Sequence, residues 1–267
     1  MPRPPLILIT NDDGLLSPGL QAAAEALADL GELLLVAPAT QQTSMSRAFT
    51  HGRGVGVIEQ TEVQVGGSAV RGYAVTGSPA LAVTHALLEL ADRPVTLCVS
   101  GVNYGENVGG SIGISGTVGA ALEASTYGIP AIAVSITVDV GEWRSFGTLD
   151  WGPTRHFTRL LATQTLAEGM PDGVSVLNLN VPRTATSSTE LRKTVQSHQP
   201  YYVRQRPGQP RPLDQPYHFP IEAVVDWDQL EPASDIYAVV HDQVASVTPL
   251  TRQMTADTAW QPRATSL

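Results

Sequence analysis

The chain has 267 residues, a formal net charge of −9 and a pI near 5.0. That balance argues against a broad basic surface for nucleic acid, and the single cysteine, Cys98, permits no internal disulfide. The opening apolar run is too short for a signal segment, and no later stretch reaches membrane-spanning length. The expectation is therefore a soluble cytoplasmic protein with no membrane or stable nucleic-acid partner, large enough for one substantial domain.

Leu6–Thr10 is apolar without alternation, as in a strand buried on both faces. Asn11-Asp12-Asp13-Gly14 follows, and two adjacent carboxylates at a strand end repel each other unless a hard cation offsets them. As isolated residues they read equally well as a turn. Ser17-Pro18 supplies an N-cap and a first helical position, and Leu20, Ala23, Ala24, Leu27 and Leu30 recur at helical spacing before Gly31. Glu32–Ala37 reads as a second buried strand, and Pro38 to Thr50 as a polar loop. Short strands are expected at Val55–Ile58, Glu62–Val65 and Val70–Val75, around Gly66-Gly67.

Ser78-Pro79 repeats the helix start, with Leu81, Val83, Leu87, Leu88 and Leu90 as its apolar face. Val95–Ser100 is a strand leading into a loop over Gly101–Ser115. Gly116–Thr126 is a helix, Ala131–Ser135 a strand, Phe157–Glu168 a helix and Val174–Asn180 a strand. This βα alternation predicts an α/β, Rossmann-like fold: a mostly parallel sheet with helices on both faces over residues 1–182. Beyond Val181-Pro182 the character changes. Tyr201–Pro220 is too proline-dense for a central strand or helix interior and reads as an extended arm or hairpin. Its flanking aromatics favour docking over disorder. Residues 183–267 are expected to be this arm plus closing segments, a short helix or turn at Asp235–Val240 and a strand at Val244–Thr248, packed on a neighbouring subunit.

Four loops rich in glycine or hydroxyls fall near strand ends: Asn11–Gly14, Pro38–Ser46, Ser100–Gly109 and Ser115-Gly116-Thr117. In a doubly wound sheet such loops converge on one edge. Together they offer two carboxylates, the amides of Asn103 and Asn107, hydroxyls, and a helix N-terminus. Carboxylate and amide oxygens suit a hard metal, and a capped helix N-terminus suits phosphate. The pairing points to phosphoryl chemistry. The six histidines form no close pair at metal spacing, and Trp143, Trp151, Trp227 and Trp260 are too scattered to suggest a stacking platform. Neither Gly-x-x-x-x-Gly-Lys nor a Gly-x-Gly-x-x-Gly after the first strand occurs, which speaks against P-loop and dinucleotide sites. A receiver-like signalling module would need a strand-end lysine, and the one lysine, Lys193, lies past the repeated core.

The ordered motifs resemble the survival protein E family (SurE), metal-dependent nucleoside monophosphate phosphatases, from about Leu6 to Leu250. They are Thr10–Gly14 with Ser17-Pro18-Gly19, Val36-Ala37-Pro38, Gly77-Ser78-Pro79-Ala80, Ser100-Gly101-Val102-Asn103 with Gly105, Asn107 and Gly109, and Ser115–Ala121. Pro130–Ser135, Leu177–Pro182 and Ser246–Leu250 continue the match. The resemblance implies one divalent ion per subunit, Mg²⁺ or Mn²⁺, on Asp12, Asp13 and Asn103, with Thr43 where the family carries a ligating Ser. Ser44 and Ser46 are the alternative hydroxyls. It implies a catalytic set of Asp12, Asp13, Asn107, Ser115 and Thr117, and phosphate contacts from Asn11, Gly14, Ser115, Gly116 and Thr117. It further implies a homodimer or homotetramer that releases phosphate from nucleoside 5′- or 3′-monophosphates, and also from short polyphosphate. The residues leave the nucleophile open between a metal-activated water and an aspartate. A nucleotide-binding protein without turnover is the competing reading. The chain departs from the family at Thr43, at Gly110-Ser111 in place of acidic residues, and at Gln253-Met254 in place of Asp-Leu.

Overall fold

Strand β1 (Leu6–Thr10) is buried throughout, and its side chains divide between two cores. Ile7 and Ile9 pack on one face of the sheet with helix α1 (Pro18–Leu27) and helix α4 (Gly152–Glu168). Leu6 and Leu8 pack on the other with helix α2 (Pro79–His85) and helix α3 (Gly116–Thr126). A strand with two cores must be apolar at every position, which is why it lacks alternation. Each such side chain contributes about 1.5–3 kcal/mol by leaving water. The computed structural model describes residues 3–143 and 145–255; Trp260 and the end of the C-terminal segment lie outside them.

The remaining strands are β2 (Glu32–Pro38), β3 (Ile58–Val65), β4 (Ser68–Val75), β5 (Leu97–Tyr104), β6 (Ala131–Ile136), β7 (Val176–Val181), β8 (Leu191–Lys193), β9 (Tyr202–Arg204), β10 (Ile221–Ala223) and β11 (Ala245–Leu250). Eight of them join β1 in one nine-stranded sheet in the order β3-β4-β2-β1-β5-β6-β7-β11-β8. Pairing is parallel from β4 through β7 and antiparallel at β3–β4 and β7–β11. The Rossmann-like α/β architecture expected from the βα alternation is thus present. The chain winds outward from β1 through β2 and β4, then returns to place β5 beside β1. That reversal is the topological switch point, where open α/β sheets hold ligands.

Local signals hold where they are strong. Ser17 caps α1 by accepting from the Leu20 amide at 3.2 Å, and Ser78 does the same for Leu81 at 3.2 Å. Gly19 is required for packing: a Cβ there would lie 1.9 Å from the Val102 carbonyl oxygen of β5.

Elsewhere the structure corrects the sequence expectation. The strand foreseen at 55–58 is a turn up to Gly56, and a single strand, β3, runs from Ile58 through the one foreseen at 62–65, paired residue for residue with β4 from Ile58↔Val75 to Val65↔Ser68. The helix after Pro79 widens into a π turn over Ala86–Leu90, closed by the Ala91 amide on the Ala86 carbonyl at 2.9 Å. Val83 is buried and Leu87 and Leu90 pack against the core as expected, joined by Ala82 and Ala86, while Leu88 turns out to solvent at 66% exposure. Strand β5 does not stop at Ser100. It irregularly skips two residues and resumes pairing at Asn103↔Ser135 and Tyr104↔Ile136. Helix α4 begins at Gly152 rather than Phe157, with Pro153 in its first turn.

Past Val181 the chain contributes to the same sheet. Strand β11 inserts between β7 and β8. The proline-rich segment is a hairpin, β9 pairing antiparallel with β10 (Arg204↔Ile221). A third small core of Val108, Tyr201, Leu230, Ile236 and Val239 ties its root to the loop after β5.

Candidate active site

The turn after β1 is set by Asn11. Its side chain accepts from the Gly14 amide at 3.1 Å and donates to the Gly14 carbonyl at 3.1 Å and to the Ser17 hydroxyl at 2.6 Å. Asn11 is fully buried and its amide is committed to the turn, so it and Gly14 stand behind the carboxylates rather than along the cleft. Asp12 and Asp13 are presented by this turn at the switch point. Asp12 accepts from the Thr117 hydroxyl at 2.5 Å, and Asp13 accepts from the Tyr104 amide at 3.2 Å and the Gln41 side-chain amide at 2.8 Å.

Both carboxylates are buried, at 4% and 6% exposure. Burial pushes the pKa of Asp12 up, opposed by the Thr117 hydrogen bond. Burial pushes Asp13 up as well, the charge of Asp12 adds to it, and the Tyr104 and Gln41 bonds oppose it. Among the described residues no third Asp, Glu, His or Cys joins them as a metal cluster. The same cleft is lined by Asn103, Thr43 and Ser44. Asn103 donates its Nδ2 to the Gly105 carbonyl at 2.6 Å, so what it offers is its amide oxygen. Two destabilised anions with neutral oxygen donors around them fit a hard divalent cation.

The hydroxyl alternatives separate. Ser46 donates to the Gly113 carbonyl at 3.0 Å and lies outside the cleft, while Thr43 and Ser44 line it. Ser44 takes a left-handed backbone conformation (φ 63°) that bends the loop there.

Opposite the carboxylates stands the start of α3. Ser115 caps it, accepting from the Val118 amide at 3.1 Å. Gly116 packs against Asp12; a Cβ at Gly116 would sit 2.7 Å from the Asp12 Cβ and 2.8 Å from its Oδ2. The helix N-terminus and its dipole therefore end on the acidic pair, an arrangement that favours an anion beside a cation. Of the residues foreseen, Asp12, Asp13, Thr43, Asn103, Asn107 and Ser115 line the cleft; Gly116 and Thr117 sit behind Asp12.

Asn107 is held by residues that sequence reasoning did not single out. Its amide donates to Asn180 Oδ1 at 2.7 Å, its carbonyl accepts from the side chains of Asn178 and Asn180 at 2.8 and 3.1 Å, and its Nδ2 donates to Ser135 at 2.9 Å. Two asparagines two apart in a buried strand lie on one face, and buried amides need partners. That spacing was the available signal. Asp235 is a second unforeseen organiser: it accepts from the Gly109, Ser197 and Ile236 amides at 3.0, 3.0 and 2.8 Å. Gln41, Glu106, Trp143, Tyr202 and Arg204 also line the cleft. Trp143 is not an isolated tryptophan: it meets the Tyr202 ring edge to face at 4.8 Å.

An acidic pair at the switch point of a doubly wound sheet, facing a helix N-terminus, defines an α/β protein with a strand-end cleft for an anionic ligand. Comparison with known proteins specifies the family. Residues 7–203 match the family model described as Survival protein SurE. A 5′-nucleotidase SurE of Thermococcus gammatolerans is 40% identical over 253 residues, covering 94% of this chain and 91% of its own. One of Thermococcus kodakarensis is 38% identical over 253 residues, with 94% and 93% covered. The crystal structure of the SurE protein from Aquifex aeolicus superposes with a TM-score of 0.71 at 27% identity, covering 94% of this chain and 95% of that one. The chain belongs to the SurE family, and both Thermococcus relatives carry the name of a hydrolase.

Proposed function

We propose that this protein is a metal-dependent 5′-nucleotidase that hydrolyses nucleoside monophosphates. The observation that carries the reading is the contact between the two poles of the site: Asp12 bonded to Thr117 and packed on Gly116 at the α3 N-terminus. Asp12, Asp13, the Asn103 oxygen and the Thr43 hydroxyl would hold Mg²⁺ or Mn²⁺. Bound there, the ion offsets the charge of the two carboxylates and polarises a phosphate oxygen.

The chain's own groups do the rest. Asn11 fixes the turn, so Asp12 and Asp13 need little reorganisation when substrate arrives. Thr117 orients Asp12 through Oδ1. The amides at the start of α3 and the Ser115 edge receive the remaining phosphate oxygens, and Asn107 is clamped by Asn178, Asn180 and Ser135 to face them. Either a water or an aspartate carboxylate delivers the attacking oxygen. The same pole suits a 3′-phosphate or the end of a short polyphosphate, since it reads the phosphate and not its carrier.

The relatives named 5′-nucleotidase SurE support this reading. No helix among the described residues is long and apolar enough to cross a membrane, and the buried free Cys98 suits a reducing cytoplasm. The hairpin tip, with Leu213 88% exposed, supports packing on a neighbouring subunit in a homodimer or homotetramer. Phosphate release from AMP with Mn²⁺, abolished by chelation and restored by metal, is the expected result. Metal-dependent AMP binding with no phosphate release would favour the non-catalytic reading instead. Light scattering of a chain lacking residues 206–219 checks the assembly, which is expected to fall to a smaller species.

A further inference from the structure

The loop between β2 and β3 carries Thr43 and Ser44, and it is fastened on both sides of them. On the near side the Gln42 amide donates to the Asp12 carbonyl at 2.7 Å and the Gln41 side chain to Asp13 at 2.8 Å. On the far side the Ser46 amide donates to the Ile114 carbonyl at 3.1 Å and its hydroxyl to the Gly113 carbonyl at 3.0 Å, just ahead of the Ser115 cap of α3. Arg47 follows, and its Nε donates to Glu123 Oε2, in the second half of α3, at 2.6 Å. The Ser78 hydroxyl, at the start of α2, donates to the Ala48 carbonyl, and the Ser78 amide donates to the Thr50 hydroxyl at 3.2 Å.

Of these contacts the Arg47–Glu123 pair is the one between full charges. The Glu123 side chain is 4% exposed and that of Arg47 44%. Among the described residues Arg47 is the one cation paired with Glu123, and the Thr84 hydroxyl of α2 donates to its other oxygen at 3.4 Å. A carboxylate buried this far is compensated by its partner, and removing the partner alone leaves the charge stranded. Arg47 does not line the acidic cleft; it faces a separate groove along α3 with Gly119 and Leu122, so it acts on the site only through the loop. The loop lies close on the helix: a Cβ at Gly119 would sit 2.1 Å from the Ser46 carbonyl oxygen and 2.7 Å from the Arg47 nitrogen. Ser44 and Ser46 take left-handed conformations (φ 63° and 50°), which non-glycine residues hold where their surroundings over-determine them. Ser46 keeps its amide bond to α3 whatever its side chain, whereas no other ion pair among the described residues holds this loop.

We propose that Arg47 and Glu123 are positioning residues of the site: their ion pair holds the loop on α3 and so fixes the Thr43 hydroxyl relative to Asp12, Asp13 and the helix start. The same helix carries Ser115 at its cap and Glu123 further along, so the loop that would ligate the metal and the pole that would face phosphate move as one body. Partners that hold a ligating group in place typically carry about 10–100-fold in metal affinity. The proposal rests on the metal-site part of the reading above, and not on turnover.

Calorimetric titration with Mn²⁺ and amide hydrogen exchange, both on the full chain, test it. Arg47→Met keeps the stem and removes the cation. It should weaken Mn²⁺ binding on the order of 10-fold and speed exchange over residues 41–47 while the central strands stay protected. Glu123→Gln should do the same, and the double variant should lose less than the two single losses combined, since both remove one interaction. Arg47→Lys, which keeps the cation, should bind Mn²⁺ more tightly than Arg47→Met, and it keeps the test open if Arg47→Met fails to fold. Arg155→Met, which breaks the Arg155–Glu25 pair between α4 and α1, is the structural control: it should lower the melting temperature without moving Mn²⁺ affinity. Mn²⁺ affinity unchanged in both Arg47→Met and Glu123→Gln, or lowered as much in Arg155→Met, overturns the positioning role. Mn²⁺ binding that depends on the pair, with no phosphate release from AMP, would keep the role and overturn the phosphatase reading.

Discussion

The two walls of the cleft are built by different means. The acidic pole comes from short-range rules applied at strand ends: an Asn-fixed turn after β1, a capped helix start at Ser115, a loop after β5. The aromatic wall comes from a segment about a hundred residues further on, held by the Tyr201–Glu106 bond and a small separate core. The first can change little without losing its chemistry. The second can vary in its side chains while its root stays docked. On the proposed reading, the chemistry would sit on elements set by local rules and the second wall on an element set by docking.

The sharpest way to break that division is at Asp13. Asp13→Asn is expected to lower phosphate release from AMP and from glycerol phosphate alike, by at least about 100-fold, since it removes a charged metal ligand. The native protein should also show a signed pH dependence. Burial raises both aspartates above the usual carboxylate value of 3.8, so the folded metal-free chain holds more protons than the unfolded one as pH rises past that value. The contribution of this pair to stability is therefore fullest in acid and is lost as pH climbs through the raised values. Apparent metal affinity should move the opposite way, rising with pH, because the ion needs ionised carboxylates. Thermal melts with and without Mn²⁺ between acid and mildly alkaline pH check both signs.

Gly116→Ala comes next. The new methyl has no space beside Asp12, and overpacking of this kind costs about 1–3 kcal/mol of stability. Activity should drop for all substrates together, measured by kcat/KM and by denaturant midpoint. Thr117→Val keeps the shape but removes the hydrogen bond to Asp12. Lost outer-shell partners weaken metal affinity about 10–100-fold, so the metal concentration for half-maximal activity should rise while activity at saturating metal changes less. The smallest effect is expected in the hydroxyl loop. Thr43→Ala should raise the metal requirement while Ser46→Ala costs only about 1 kcal/mol of stability through its Gly113 hydrogen bond. If Ser46→Ala moved the metal requirement and Thr43→Ala did not, the assignment of the loop ligand would be reversed.

The difference between the walls also explains what could be read from the sequence. Asp12, Asp13 and Ser115 stand out in the sequence because each adjoins the end or start of a regular element whose pattern is local, whereas Asn103 rests on the family motif, since the sequence reads as loop where β5 continues to Tyr104. Thr43 and Ser44 were found with Ser46 beside them, and only the loop's path separates them. Asn178 and Asn180 were seen as part of a motif, yet their task of clamping Asn107 depends on a register across two strands. Tyr202 and Trp143 were out of reach, since about sixty residues and an arm's docking lie between them. Within the Leu81–Leu90 face only Leu88 turns outward, for a related reason: a single π turn changes the period on which a helical pattern rests.

Strand β11 carries a further consequence, in the timing of synthesis. It pairs with β7 on one side and β8 on the other, although both precede it in the chain. On the ribosome the outer edge of β7 has no partner until Leu250 has emerged. At about 5–20 residues per second the interval is on the order of seconds. For that interval the nascent sheet offers an unpaired apolar strand, the feature that invites pairing with another chain. The last strand among the described residues is thus the one that joins β7 to β8, and a chain cut short before Ala245 would leave the ribosome with that edge of β7 still open.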